Sequence, residues 1–159
     1  MPRPLRADVL HRFLDLVVGQ LRDTVGVDAR LSMLAGAGEA DDAIAVAMDF
    51  AGDVRGPITW VFPRPIALEL VRRMLHAPAP RAEIAPDGAT ELANILTGRA
   101  ALALEDYGFR CRFGVPRLHH GALPGGLMVR MQTAAGPIDL VLSMGPATTQ
   151  RVRTIPDPR

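Results

Sequence analysis

A six-residue phrase recurs in this chain with four positions identical, and it constrains the fold more than any other feature. Gly56-Pro-Ile58-Thr-Trp-Val61 returns eighty positions later as Gly136-Pro-Ile138-Asp-Leu-Val141. Each copy reads as the second arm of a β-hairpin, and each hairpin has a long amphipathic helix upstream. A unit recurring at a fixed offset implies a duplicated helix-plus-strands module, its copies related by a pseudo-two-fold axis. The fold class that follows is α/β of the α+β kind: a mostly antiparallel sheet with helices packed on it.

The elements can be placed by period. Leu5, Val9, Leu10, Phe13, Leu16, Val17 and Leu21 recur at helical spacing and predict a helix over 5–25, ended by Gly26. Leu31 and Met33 mark a short strand. Ile44, Val46, Met48 and Phe50 alternate with Ala45, Ala47 and Asp49, the period of a strand. Gly52 to Gly56 reads as the hairpin turn, and Ile58, Trp60 and Phe62 alternate on the returning arm. Pro65 sits in the first turn of a helix over 65–76, where proline is tolerated. A second long helix covers 87–106, with Asp87 as its N-cap. Phe109, Cys111, Phe113 and Val115 then alternate as one strand closed by Pro116. The last two strands cover 127–133 and 137–144. Residues 1–147 form one domain, and 148–159 read as a frayed tail.

Composition narrows the functions. Net charge is +1, all eighteen basic residues are arginine, and aromatics make up only 4%. No basic stripe or aromatic platform suggests nucleic-acid binding. Cys111 is the single cysteine, which excludes an internal disulfide and fits a reducing compartment. No apolar run is long enough for a membrane span or a signal peptide, so a cytoplasmic location is expected. His119 and His120 have no acid or cysteine at ligand spacing, so no metal site is expected. Ser32 and Ser143, the only serines, lie in no nucleophile motif. Cys111, Trp60 and the methionines read as core, and Arg72-Arg73 as a solvated helix face.

The candidate site lies on the second long helix. At about 3.6 residues per turn, Asp87, Glu91, Asn94, Gly98, Ala101 and Glu105 are expected on one open face. Leu92, Ile95, Leu96, Leu102 and Ala103 are expected round the core side. Asparagine gains a helix interior little, because it competes for backbone hydrogen bonds. An exposed Asn one turn from a carboxylate, beside two very small residues, is arranged for a partner.

Asp87-(three residues)-Glu91-(two residues)-Asn94, followed by Gly98 and by Pro116 after 21 intervening residues, resembles the signature of the CheC/CheX/FliY phosphatases of bacterial chemotaxis. The block Glu91-Leu-Ala-Asn94-Ile-Leu-Thr-Gly98 is close to that family's Glu-Leu-Ala-Asn-Met-Ile-Ala-Gly. The upstream hairpin fits as well, and the likeness covers about residues 5–145. Two departures stand out. Arg99 occupies a position where the family often has Asn, and the spacing to Pro116 is one residue short. The first helix carries no second Glu/Asn pair, so the likeness is to the one-site CheX type.

The resemblance implies a substrate, a phosphorylated CheY-like response regulator whose Asp carries an acyl phosphate. It also implies roles. Asn94 would orient the attacking water, Glu91 would pair with the regulator's lysine, and Asp87, Gly98 and Ala101 would line the docking face. No cofactor of the chain's own is required, because the regulator brings Mg²⁺. Two alternatives stay open: a binding-only adaptor that docks a receiver domain or self-associates, and a motor-switch component like the FliY branch. A homodimer is also implied, through an exposed final hairpin.

Overall fold

A computed structural model describes residues 7–34, 42–52, 54–78, 80–143 and 145–146. Helix α1 spans Ala7–Val25, α2 Arg64–Leu75 and α3 Ala85–Leu104. The strands are β1 Ala29–Leu34, β2 Ala43–Gly52, β3 Val54–Pro63, β4 Cys111–Phe113, β5 Arg117–His119, β6 Leu127–Thr133, β7 Gly136–Leu142 and β8 Gly145–Pro146. All strand pairs are antiparallel. The sheet runs β1-β6-β7-β3-β2-β4, with β5 also on β2 and β8 on the far end of β3.

The duplication is visible in the pairing. The hairpins β2-β3 and β6-β7 meet at β3 and β7, where Trp60 pairs with Leu140. Those two residues are also equivalent by the eighty-residue offset, so the pseudo-dyad runs through their pair. Gly56 and Gly136 adopt the same unusual backbone, φ 133° and φ 131°. A β-carbon on Gly136 would meet only the far end of the Ile66 side chain, which can move, so glycine is needed there for φ. Outside the hairpins the strands are exchanged. The strand after α1 pairs with the second hairpin, and the strands after α3 pair with the first.

The three helices cover one face of the sheet. Phe13, Val17 and Leu21 of α1, Leu70 of α2 and Leu92 and Leu96 of α3 meet Ile44, Val46, Met48, Ile58, Trp60 and Phe62 in one core. Each such side chain, fully buried, contributes about 1.5–3 kcal/mol. The other face is partly closed too. Val61, Met128 and Val141 form a small cluster there with Ala43 and Leu123.

Several expectations are corrected. The 52–56 turn is tighter than expected, because β2 runs through Gly52 and β3 starts at Val54. The strand expected over 109–115 breaks. Phe50 pairs with Phe113, but Ala47 pairs with Arg117, which leaves one extra residue at 114–116. This is a β-bulge, and Gly114 N–H donates to the Asp49 carbonyl within it at 2.8 Å. It resets the alternation, so Val115 is 84% exposed and does not continue the strand begun at Cys111. The final hairpin is not exposed at an edge: β6 and β7 lie inside the sheet, and the edges are β1 and β4/β5. Met33, expected in the core, is exposed. Arg72 and Arg73 are half-buried and both bind Glu69, at 2.7 and 3.0 Å. The expected tail, 148–159, lies outside the described residues.

Candidate functional site

Helix α3 begins earlier than Asp87. A 3₁₀ turn, Ala82–Ile84, leads into Ala85, and Pro86 occupies the first turn, where its fixed φ suits a helix start. Asp87 is therefore a first-turn acid beside the positive end of the helix, not the N-cap. Thr90 Oγ1–H donates to the Pro86 carbonyl at 2.8 Å. The helix ends at Leu104, and a 3₁₀ turn over Glu105–Tyr107 follows.

Three contacts set how α3 is rolled on the sheet. Leu92, Leu96, Ala100 and Leu104 are buried beneath it. The Trp60 indole Nε1–H donates to Thr97 Oγ1 at 2.9 Å, both groups being buried. At Gly88 the helix meets α2 so closely that a β-carbon would lie 2.5 Å from Val71 Cγ2. A different roll would break the buried hydrogen bond and drive the helices together.

With that roll, Glu91 is exposed and Asn94 is half-buried, one turn apart. Among the described residues no side chain hydrogen-bonds or ion-pairs with either. Glu83, Asp87 and Glu91 form an exposed acidic run at the N-terminal end of the stripe. A partly buried amide has fewer rotamers to lose on docking than a free one.

The C-terminal half of the expected face is corrected. Ala101 is 1% exposed and Leu102 is 66% exposed, the reverse of what was expected. At about 100° per residue, position 102 lies about 20° from the direction of Glu91, and position 101 about 80° from it. Ala101 thus belongs to the core and does not line the open face. Ile95, about 40° from Glu91, is half-buried for the same reason. Gly98 does face outward, but it is not bare. The Phe113 ring covers it, and a β-carbon there would meet Phe113 Cζ at 2.8 Å.

Phe113, Thr97 and Gly88 were not singled out from sequence. Their signals were a helix carrying two internal glycines, each disfavoured by about 1 kcal/mol relative to alanine, and a threonine aligned with the core leucines. Arg99 does not crowd the stripe: its Nη1–H donates to Thr24 Oγ1 at the end of α1, 3.2 Å away. His119 ends β5, and its Nε2–H donates to the Ala122 carbonyl at 2.8 Å. Among the described residues no cluster of His, Cys, Asp and Glu could hold a metal, and no helix is long and apolar enough to cross a membrane.

Comparison with known proteins agrees with this fold. The sequence profile described as "Chemotaxis phosphatase CheX" matches residues 44–125. No curated protein matches the chain. Among solved structures, chemotaxis protein CheX from Vibrio vulnificus aligns with TM-score 0.68 at 18% identity, over 87% of this chain and 97% of that one. The CheX of a CheX-CheY-BeF3-Mg²⁺ complex from Borrelia burgdorferi aligns with TM-score 0.65 at 21% identity, over 89% and 98%. FliY from Thermotoga maritima aligns with TM-score 0.59 at 12% identity, over 87% and 91%. At such identities these likenesses are likenesses of fold.

Proposed function

This chain belongs to the CheX family of chemotaxis phosphatases, and on that footing we propose that it hydrolyses the acyl phosphate of a phosphorylated CheY-like response regulator. The observation that carries the reading is the pair on α3: an exposed carboxylate and, one turn on, a half-buried amide that among the described residues has no side-chain partner. That a related fold is found in a CheX-CheY complex supports the choice of partner.

In the reaction, a water oxygen attacks phosphorus and the bond to the receiver's aspartyl oxygen breaks. Inorganic phosphate leaves, and the aspartate is restored. Such a transfer needs positioning and charge stabilisation more than new covalent chemistry. The Asn94 amide can do both parts of the positioning, its carbonyl accepting from the water and its NH₂ donating to a phosphoryl oxygen. Glu91, three residues earlier and exposed, suits a charge-assisted bond to the receiver's lysine, which fixes register. Mg²⁺ comes with the receiver, and α3 contributes only side chains. The rigid roll of α3 matters here, because a misplacement of about 1 Å costs about 10²-fold in rate.

The test is phosphate release from phosphorylated receivers with Mg²⁺ present. Asn94→Ala should lower stimulated hydrolysis by about 10²–10³ while leaving receiver binding nearly intact. Glu91→Ala should weaken both. Full activity in the Asn94 variant would refute the mechanism. Binding without hydrolysis by the wild type would favour the adaptor reading.

A further inference from the structure

Leu102, Phe113, Val115 and Leu118 are exposed by 66%, 37%, 84% and 38%. Single exposed apolar residues are ordinary, but four on adjoining elements call for a reason. Phe113 pairs with Phe50, and Leu118 with Val46, both of which are core residues beneath the helices. Residues directly opposite in an antiparallel pair share a face, so Phe113 and Leu118 lie on the helix side of the sheet edge. Helix α3 packs against both β4 and β5. The Phe113 ring sits on Gly98, and Leu102 is one turn further along α3. The bulge throws Val115 outward between the two strands. The open stripe of α3 is therefore bipartite: acidic at Glu83, Asp87 and Glu91, and apolar from Gly98 onward, with Asn94 between.

We propose that this apolar rim is the second half of the docking surface for the phosphorylated receiver domain, received by an apolar patch on the receiver beside its active site. The inference rests on the reading above. Its warrant is area. A stable protein–protein contact buries about 800 Å² on each partner, a footprint of about 16 Å radius. Eight residues of helix span about 12 Å, so Leu102 falls inside any such footprint centred on Asn94. The acidic end cannot bind the same patch as the apolar end, so the surface also fixes which way round the receiver docks.

The experiment uses the full chain with a Leu102→Glu/Val115→Glu double substitution. Both positions are exposed, and an unchanged urea midpoint confirms the fold. Binding is measured against the organism's own CheY-like receivers loaded with beryllofluoride and Mg²⁺, and turnover against phosphorylated receiver. The dissociation constant should rise about tenfold or more, and KM with it, while kcat at saturation is retained. Asn94→Ala should do the opposite, lowering kcat with affinity held. Affinity of the double variant within about twofold of wild type would overturn the proposal and leave the phosphatase reading standing. A change in sedimentation mass without a change in receiver affinity would overturn it in favour of contact between copies of this chain. A wild type that binds no receiver overturns both.

Discussion

Replacing Gly88 with alanine should destabilise the protein, while the same change at Gly19 should stabilise it. Both lie inside long helices, so both gain about 1 kcal/mol from helix propensity. They differ in what the new methyl meets. At Gly19 nothing beyond the neighbouring residues and the helix's own backbone lies within 4 Å, so the full gain is expected. At Gly88 it would lie 2.5 and 2.7 Å from the two Val71 methyls and 3.2 Å from Val71 Cβ. A β-branched side chain has one strongly preferred helix rotamer, and its Cβ moves only with the backbone. Overpacking of this kind costs about 1–3 kcal/mol, which leaves a net loss of about 1 kcal/mol. Gly98→Ala is intermediate, because the obstacle is the far end of the Phe113 ring, which can swing into solvent, and it should be near neutral. The two extremes should then differ by about 2 kcal/mol, or about 4–8 °C in Tm for a chain of this size. Urea unfolding with constant m-value measures this, and Gly88→Ala made in a Val71→Ala background should lose most of its penalty, since both Val71 methyls are gone. Equal stabilities for the Gly19 and Gly88 variants would refute the argument that close contact with α2 sets the roll of α3.

Two further outcomes follow from contacts beneath and beside α3. Thr97→Val leaves the Trp60 indole N–H buried without its acceptor, and should cost about 1–3 kcal/mol with a shift in emission of the single tryptophan; unchanged stability and emission would mean the bond does not hold the helix. The Glu69 carboxyl is held down from 4.5 to about 2 by hydrogen bonds from Arg72 and Arg73. Its contribution is complete above pH 4.5 and is lost as pH falls toward 2. A comparison of wild type with Glu69→Gln should show their stability gap closing over that interval, and a gap that stays constant would refute the pairing.

The sheet was readable from residues because it rests on strong local periods. The alternation in 43–50 and the eighty-residue echo led directly to β2-β3 and β6-β7. Glu91 and Asn94 were nominated by helical spacing together with a family resemblance, which spacing alone would not supply. Errors came where a small local choice accumulates or resets a period. Following i+3 steps from Gly98 led to Ala101, whereas one i+4 step reaches Leu102, and the rest of the rim was lost with it. Gly114 and Pro116 hide a bulge that no alternation pattern displays, so Val115 was placed on one unbroken strand with Phe113. The start of α3 was missed by two residues because Asp87 offered a familiar capping side chain, and the structure opens the helix with a 3₁₀ turn and Pro86 instead. Strand exchange between the halves was invisible, since pairing partners far apart in sequence leave no local mark.

That exchange has a consequence for how the molecule comes into being. Among the described residues, the strand β1 closes only on β6, about a hundred residues downstream, and β2 stays an open edge until β4 and β5 emerge. Neither half has a finished sheet of its own, so there is no smaller competent body that could fold first and wait. Long loops must close before their pairings reward them, which makes assembly slow compared with a helical domain of similar size. During synthesis the first half presents an unfinished edge, and the segment that covers it is the one that follows the Glu91–Asn94 helix. The surface proposed to meet the receiver is thus put in place by the same late step that seals the sheet.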